Sequence, residues 1–313
     1  MSPFRRLCAL LAQPVPLATL VLAALCSNAA SANDQQLPGI PQVLNFGPAP
    51  HAGPRYFKTA ADRGRYLVTA DFRGLSGDAL SIRFHLEQAA ARNSMQAFGV
   101  SQDELDVLRE RCQATRGCNQ QVFDQHLMRY YREHKLRLRS VPGQRSRLFV
   151  DIPEVVRHNR AHVLPVSAAL RRLASERGHD AEDLFESAVA LVQTGLAYRT
   201  PSAVESGRQT LGFYTPPRAL EKGYGDCDTK SALLAAIVKN LDGPRLIGVR
   251  VPGHYLLGIA RTPGDNDAYV EYRGESFVLL EAAGPAPRRP GSISEQTRTA
   301  LATGQELRID PMF

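Results

Sequence analysis

The chain has 313 residues, is 43% hydrophobic and 22% charged, and carries a formal net charge of +7 with five cysteines and no tryptophan. A positive excess this mild, with few aromatics near the basic residues, excludes a strongly basic nucleic-acid binder and suits a folded protein.

Met1 to Ala32 begins with Arg5 and Arg6, continues through an apolar stretch to Cys26 and ends in Ala30-Ser31-Ala32. This is the pattern of a secretory signal peptide. Pro14 and Pro16 interrupt the stretch, so stable membrane insertion is not expected, and Leu25 before Cys26 is too large for a lipoprotein cleavage site. A periplasmic or secreted soluble protein beginning at Asn33 is the expectation. Its three cysteines, Cys112, Cys118 and Cys227, cannot all pair. Cys112 and Cys118 flank a short turn that an oxidising compartment would close, which leaves Cys227 as a free thiol.

Residues 33–55, with their scattered prolines, read as an irregular lead-in. A mixed module follows over 56–160, with a strand pair at Tyr66–Phe72 and Ala79–Phe84 and a helical pattern from Glu87 to Arg139. Basic residues between Arg129 and Arg147 alternate with Leu136, Leu138 and Val141 and read as a solvated helix face. His158 and His162 have the spacing of two metal ligands on one helix face. No third ligand accompanies them, so they read as surface histidines and no metal is expected.

The core spans 161–290, with 291–313 as a C-terminal extension. Helical periodicity covers Val166–Arg177 and Ala181–Tyr198, the second run opening at Asp180 with Asp183 in capping-box register. In Gly223-Tyr224-Gly225-Asp226-Cys227-Asp228-Thr229-Lys230 the glycines free the backbone and Asp226 is placed to cap a helix over 227–241. Cys227 then lies in the first helical turn, where unpaired N–H groups and the helix dipole favour a thiolate and can hold an oxyanion. Short β-like runs follow at Leu246–Val251, His254–Ala260, Ala268–Tyr272 and Phe277–Glu281.

Two helices, a cysteine helix and an antiparallel sheet carrying a histidine form an α+β order. Gly225-Asp226-Cys227-Asp228, then Gly253-His254-Tyr255-Leu256, then Phe277-Val278-Leu279-Leu280-Glu281 resembles the bacterial transglutaminase-like cysteine peptidase superfamily over residues 165–285. The resemblance implies a papain-like core of helices packed on an antiparallel sheet and a Cys227, His254, Glu281 triad. An imidazole that takes the thiol proton, oriented by a carboxylate, makes a competent nucleophile. The chain departs from the family in having Glu for the usual Asp, and Leu256 where an aromatic often stands. Glu271 competes for the acidic role: a plain meander would favour it, whereas direct pairing of Phe277–Glu281 with His254–Ala260 brings Glu281 to the histidine. Glu281, followed by the turn Ala282-Ala283-Gly284-Pro285, is the preferred reading. Gln209 and Tyr224 are the candidate side-chain donors to an oxyanion.

These features point to a cofactor-free cysteine peptidase that hydrolyses amide bonds of a protein or peptide substrate. A protein-cross-linking transglutaminase uses the same triad with an amine acceptor. An inactive periplasmic scaffold of the same fold is the third reading, and it expects Cys227 to be buried and unreactive.

Overall fold

Alternation of apolar and polar side chains builds the first sheet of the computed structural model, which describes residues 56–60, 63–139, 146–303 and 307–312. Residues 1–55, where a signal peptide and lead-in are expected, and Val141 lie outside the described residues. Strands β1 (Tyr56–Ala60), β2 (Arg65–Arg73) and β3 (Ala79–Glu87) form an antiparallel meander in which Ala70 stands opposite Ile82. Leu80, Ile82, Phe84 and Leu86 are buried and the residues between them exposed, as a period of two on a half-covered sheet requires.

Helix α1 (Gln88–Gln96) and the short β4 (Val100–Ser101) lead to α2 (Gln102–Ala114) and α3 (Gln120–Glu133). Ser101 and Asn119 cap the last two by accepting the N–H groups of Glu104 and Val122. No residue of α2 is buried and α3 buries Tyr130 alone, so this helical hairpin stands at the surface. A Cys112–Cys118 disulfide ties the last turn of α2 to the connection before α3.

The helical run expected to reach Arg139 ends at Glu133. Lys135 takes a left-handed conformation, and β5 (Leu136–Arg139) then pairs antiparallel with β6 (Arg147–Val150). Leu136 and Leu138 alternate at the strand period, so the basic stretch read as one helix face is divided between a helix end and a strand pair. His158 lies in α4 (Ile152–Asn159) with Nδ1 3.0 Å from Glu154, whereas His162 falls in a 3₁₀ turn, Arg160–Val163. Both are exposed and they share no continuous α-helix. Among the described residues no group of three His, Cys, Asp or Glu is placed to hold a metal ion, and no helix is long and apolar enough to cross a membrane.

Helix α5 (Leu164–Arg177) precedes α6 (Ala181–Ala190), which opens with the expected reciprocal capping box of Asp180 and Asp183. The helix expected to continue to Tyr198 changes at Leu191–Gly195 into a π turn, and β7 (Ala197–Tyr198) follows. The short strands β8 (Val204–Glu205) and β9 (Arg208–Gln209) and helix α7 (Pro216–Lys222) lead to β10 (Tyr224–Gly225), which pairs parallel with β7.

Helix α8 (Cys227–Asn240) is buried at every position from Cys227 to Val238 except Asp228. Small and apolar residues occupy all its faces, so it packs against α4, α5, α6, α7 and the main sheet instead of presenting one stripe. That sheet has the order β13-β14-β12-β11-β15, with β11 (Leu246–Val251), β12 (His254–Ala260), β13 (Tyr269–Tyr272), β14 (Glu275–Leu280) and β15 (Arg308–Pro311), all neighbours antiparallel. Tyr255, Leu257, Ile259, Val278 and Leu280 join the apolar cluster that contains α8, while Leu256, Val249, Phe277 and Leu279 face a second cluster beside α9 (Glu295–Ala302). Both faces are covered, which explains why these strands read as unbroken apolar runs.

Leu233, fully buried in α8, tests the weight of this helix. Leu233→Ala is expected to cost about 3 kcal/mol of unfolding free energy, read from urea denaturation of the full chain.

Candidate active site

Asp226 caps α8 through its carboxylate, which accepts the Thr229 N–H at 3.1 Å. The helical ladder begins with Lys230 N–H to Asp226 O, so the N–H groups of Cys227 and Asp228 lie outside it. Gly225 permits the approach: a Cβ there would stand 2.4 Å from the Thr229 methyl carbon.

Cys227 is the free cysteine among the described residues, and it is buried, with 9% of its surface exposed. Its Sγ donates to Asp228 Oδ1 at 3.4 Å. Burial pushes the thiol well above its ordinary range, Asp228 and Asp226 push the same way, and the Tyr255 N–H opposes them. Burial and two neighbouring carboxylates thus favour the thiol form, in the direction opposite to the helix start. Asp226 is itself raised to about 6 by burial and by Asp228, against its bonds to Thr229.

Val251 and His254 face each other across the tight turn between β11 and β12, with Gly253 at φ +70°. Strand β14 pairs directly with β12, Leu280 opposite Leu257, so Glu281 leaves the sheet beside the start of β12. His254 Nε2 stands 3.7 Å from Glu281 Oε1, an ion-pair distance longer than a hydrogen bond. Glu281 is 7% exposed and accepts the Ser294 N–H at 3.1 Å and the Thr297 hydroxyl at 2.5 Å, with Arg288 Nε 3.5 Å from its other oxygen. Burial alone would raise this carboxylate, but His254, Thr297 and Ser294 together hold it down at about 2. Glu271 is exposed on β13, accepts from Ser276, and is separated from β12 by β14.

Asp228 also faces Arg250 Nη1 at 3.4 Å, and that guanidinium lies 4.8 Å from the Tyr255 ring centroid. Tyr255, wholly buried, donates its hydroxyl to Asp310 at 3.3 Å. The two oxyanion candidates are placed differently. Gln209 is exposed in β9, opposite Val100 and Val204. Tyr224 exchanges a 3.1 Å hydrogen bond with Tyr214 and stacks under Arg199.

Three further residues meet this region. Tyr198 pairs with Gly225, and burial, followed by the neighbouring acidic groups Cys227, Asp226 and Asp228, raises its phenol. It sits at the end of a helix-like run, where the sequence carries no marker. Lys230 has no exposed surface and donates to the carbonyls of Gln193 at 3.3 Å, Leu196 at 3.0 Å and Ala283 at 2.6 Å. Burial lowers its ammonium to about 7. Gln193, also fully buried, donates to Glu281 O at 2.7 Å and Arg288 O at 3.0 Å and accepts the Arg288 N–H at 2.9 Å. A lysine and a glutamine inside apolar helical runs were the available signals. A surface cleft lined by Glu182, Glu186, Arg261, Asp267 and Arg289 contains none of the triad candidates, and its charges pair among themselves.

No protein-family model, no curated protein and no solved structure matches the chain.

Asp228 is expected to hold the thiol protonated, so Asp228→Asn should shift the alkylation midpoint of Cys227 to lower pH, measured with iodoacetamide across pH 5 to 10. Glu281 gives a second test. Its pKa is depressed from 4.5 to about 2 on folding, so it contributes stability that is present above the unfolded value and lost as pH falls through the folded one. Wild-type unfolding free energy should therefore fall more steeply than that of Glu281→Gln between those two pH values, read from urea titrations.

Proposed function

We propose that the chain is an exported thiol enzyme with a transglutaminase-like core, which cleaves amide bonds of a protein or peptide through Cys227, His254 and Glu281. The observation that carries this reading is the 3.7 Å approach of His254 Nε2 to the buried Glu281 carboxylate, at the start of a strand whose next residue, Tyr255, accepts at its carbonyl from Ser231 of the cysteine helix. The order of cysteine helix, histidine strand and acidic strand end supports it, as does the Cys112–Cys118 disulfide, which suits an oxidising compartment.

With Nε2 toward Glu281, His254 keeps Nδ1 for the thiol proton. Sγ, relieved of that proton, attacks the amide carbon, and the new oxyanion is met by the N–H groups at the start of α8. His254 returns the proton to the leaving amine as the carbon–nitrogen bond breaks, which frees the first product and leaves a thioester on Cys227. Water then attacks the thioester, giving one proton to His254 and its hydroxyl to the acyl carbon. The carbon–sulfur bond breaks, the thiol recovers its proton and the acid departs. An amine in place of water gives cross-linking by the same steps. Glu281 stays ionised throughout and stabilises the imidazolium between transfers.

A second reading is favoured by one observation: Cys227 is buried in surroundings that favour the thiol form, as an inactive scaffold would have it. Iodoacetamide labelling of the folded protein separates the two. Thiol chemistry predicts Cys227 labelling that falls by about tenfold or more in His254→Ala, whereas labelling that is slow and indifferent to His254 would establish the scaffold. Where Cys227 labels in this way, mass spectrometry of the peptide products of the unalkylated protein, with and without an added primary amine, distinguishes hydrolysis from transamidation.

A further inference from the structure

We infer that Lys230 and Gln193 form a buried clamp that sets the position of the Glu281 carboxylate relative to the cysteine helix, making Lys230 a positioning residue for the thiol chemistry. The inference rests on the triad reading and adds residues that do not touch the reacting atoms.

Lys230 lies in α8 one turn beyond Cys227, and its ammonium reaches the carbonyl of Ala283, two residues after Glu281. The same ammonium takes the carbonyls of Gln193 and Leu196. Gln193 completes the arrangement from the other side: its backbone oxygen meets Lys230 while its side-chain amide donates to the carbonyl of Glu281 itself. Residues 281 and 283 are thus fixed at two points, both leading to α8. Gly284 tightens the fit, because a Cβ there would fall 2.1 Å from the Gln193 carbonyl oxygen.

These oxygens come from the end of the helical segment: Gln193 lies in the π turn Leu191–Gly195 and Leu196 just after it, where no following turn takes up the carbonyls. Lys230 answers them with three N–H groups and no carboxylate partner among its hydrogen bonds. This geometry suits a holder of backbone, since carbonyl dipoles fix the direction of each bond and a fully satisfied buried network is rigid.

A clamp of this kind predicts effects on Cys227 reactivity beyond any effect on stability. Lys230→Met and Gln193→Leu, made in the full mature chain, are each expected to slow His254-dependent iodoacetamide labelling of Cys227 by between about tenfold and hundredfold, the range produced when a distant change misplaces a reacting group. The pH profile of labelling should flatten toward that of Glu281→Gln. The double variant should lose little beyond either single one, because residues in one network do not act additively. Near-UV circular dichroism identifies which variants remain folded; if Lys230→Met does not, Gln193→Leu decides. Folded variants that label within twofold of wild type with an unchanged pH profile would overturn the clamp while leaving the triad standing. Wild-type labelling that ignores His254 would overturn both.

Discussion

An ammonium ion removed from water must be surrounded by oxygens, and Lys230 meets that demand with three backbone carbonyls from two separate segments. The consequence is geometric. The first turns of α8, the π turn after α6 and the chain that follows β14 are brought to one point, and the candidate nucleophile and its candidate carboxylate lie on either side of it. Apolar burial of α8 places this helix in the core, but apolar contacts have no direction. Hydrogen bonds to carbonyls do, and they fix how the helix start is turned toward the end of β14.

Electrostatics around the site run in opposite senses at its two ends. Glu281 is buried and still strongly acidic, because a histidine, a hydroxyl and a backbone N–H all favour its charge. Cys227 is buried between two acidic neighbours that favour its thiol form. The thiol proton thus starts near Asp228, whose own charge is shared with Arg250. The burial that covers the sulfur also disfavours its ionisation, so exposure and acidity are coupled at this cysteine.

Much of the frame was legible because local pattern and tertiary role agree. Apolar residues at 233, 234, 237, 238 and 241 mark a helix, the glycine-flanked Asp226 marks its start, and strands 246–251 and 254–260 follow from their apolar runs. Glu281 was preferred to Glu271 from the turn that follows it, and the direct pairing of β14 with β12 sets the two glutamates apart. What escaped depends on long separations. Ser294 and Thr297, in the segment read as an extension, reach Glu281 across 13 and 16 residues, and Gln193 reaches it across 88. A donor of this kind has no periodicity to betray it. The strand β5 was missed for another reason: Leu136 and Leu138 are too short a run to compete with the helix before them.

The π turn is a matter of residue count as much as of residue type. Each residue advances a helix by about 100°, so removing Val192 would restore a regular α-helix and swing Gln193 away from the chain after β14. The identity of Gln193 would survive such a deletion and its bond to Glu281 would not. Length between Ala190 and Ala197 is therefore inherited together with the glutamine, and a chain related to this one could keep every side chain named here yet lose the arrangement through a single gap.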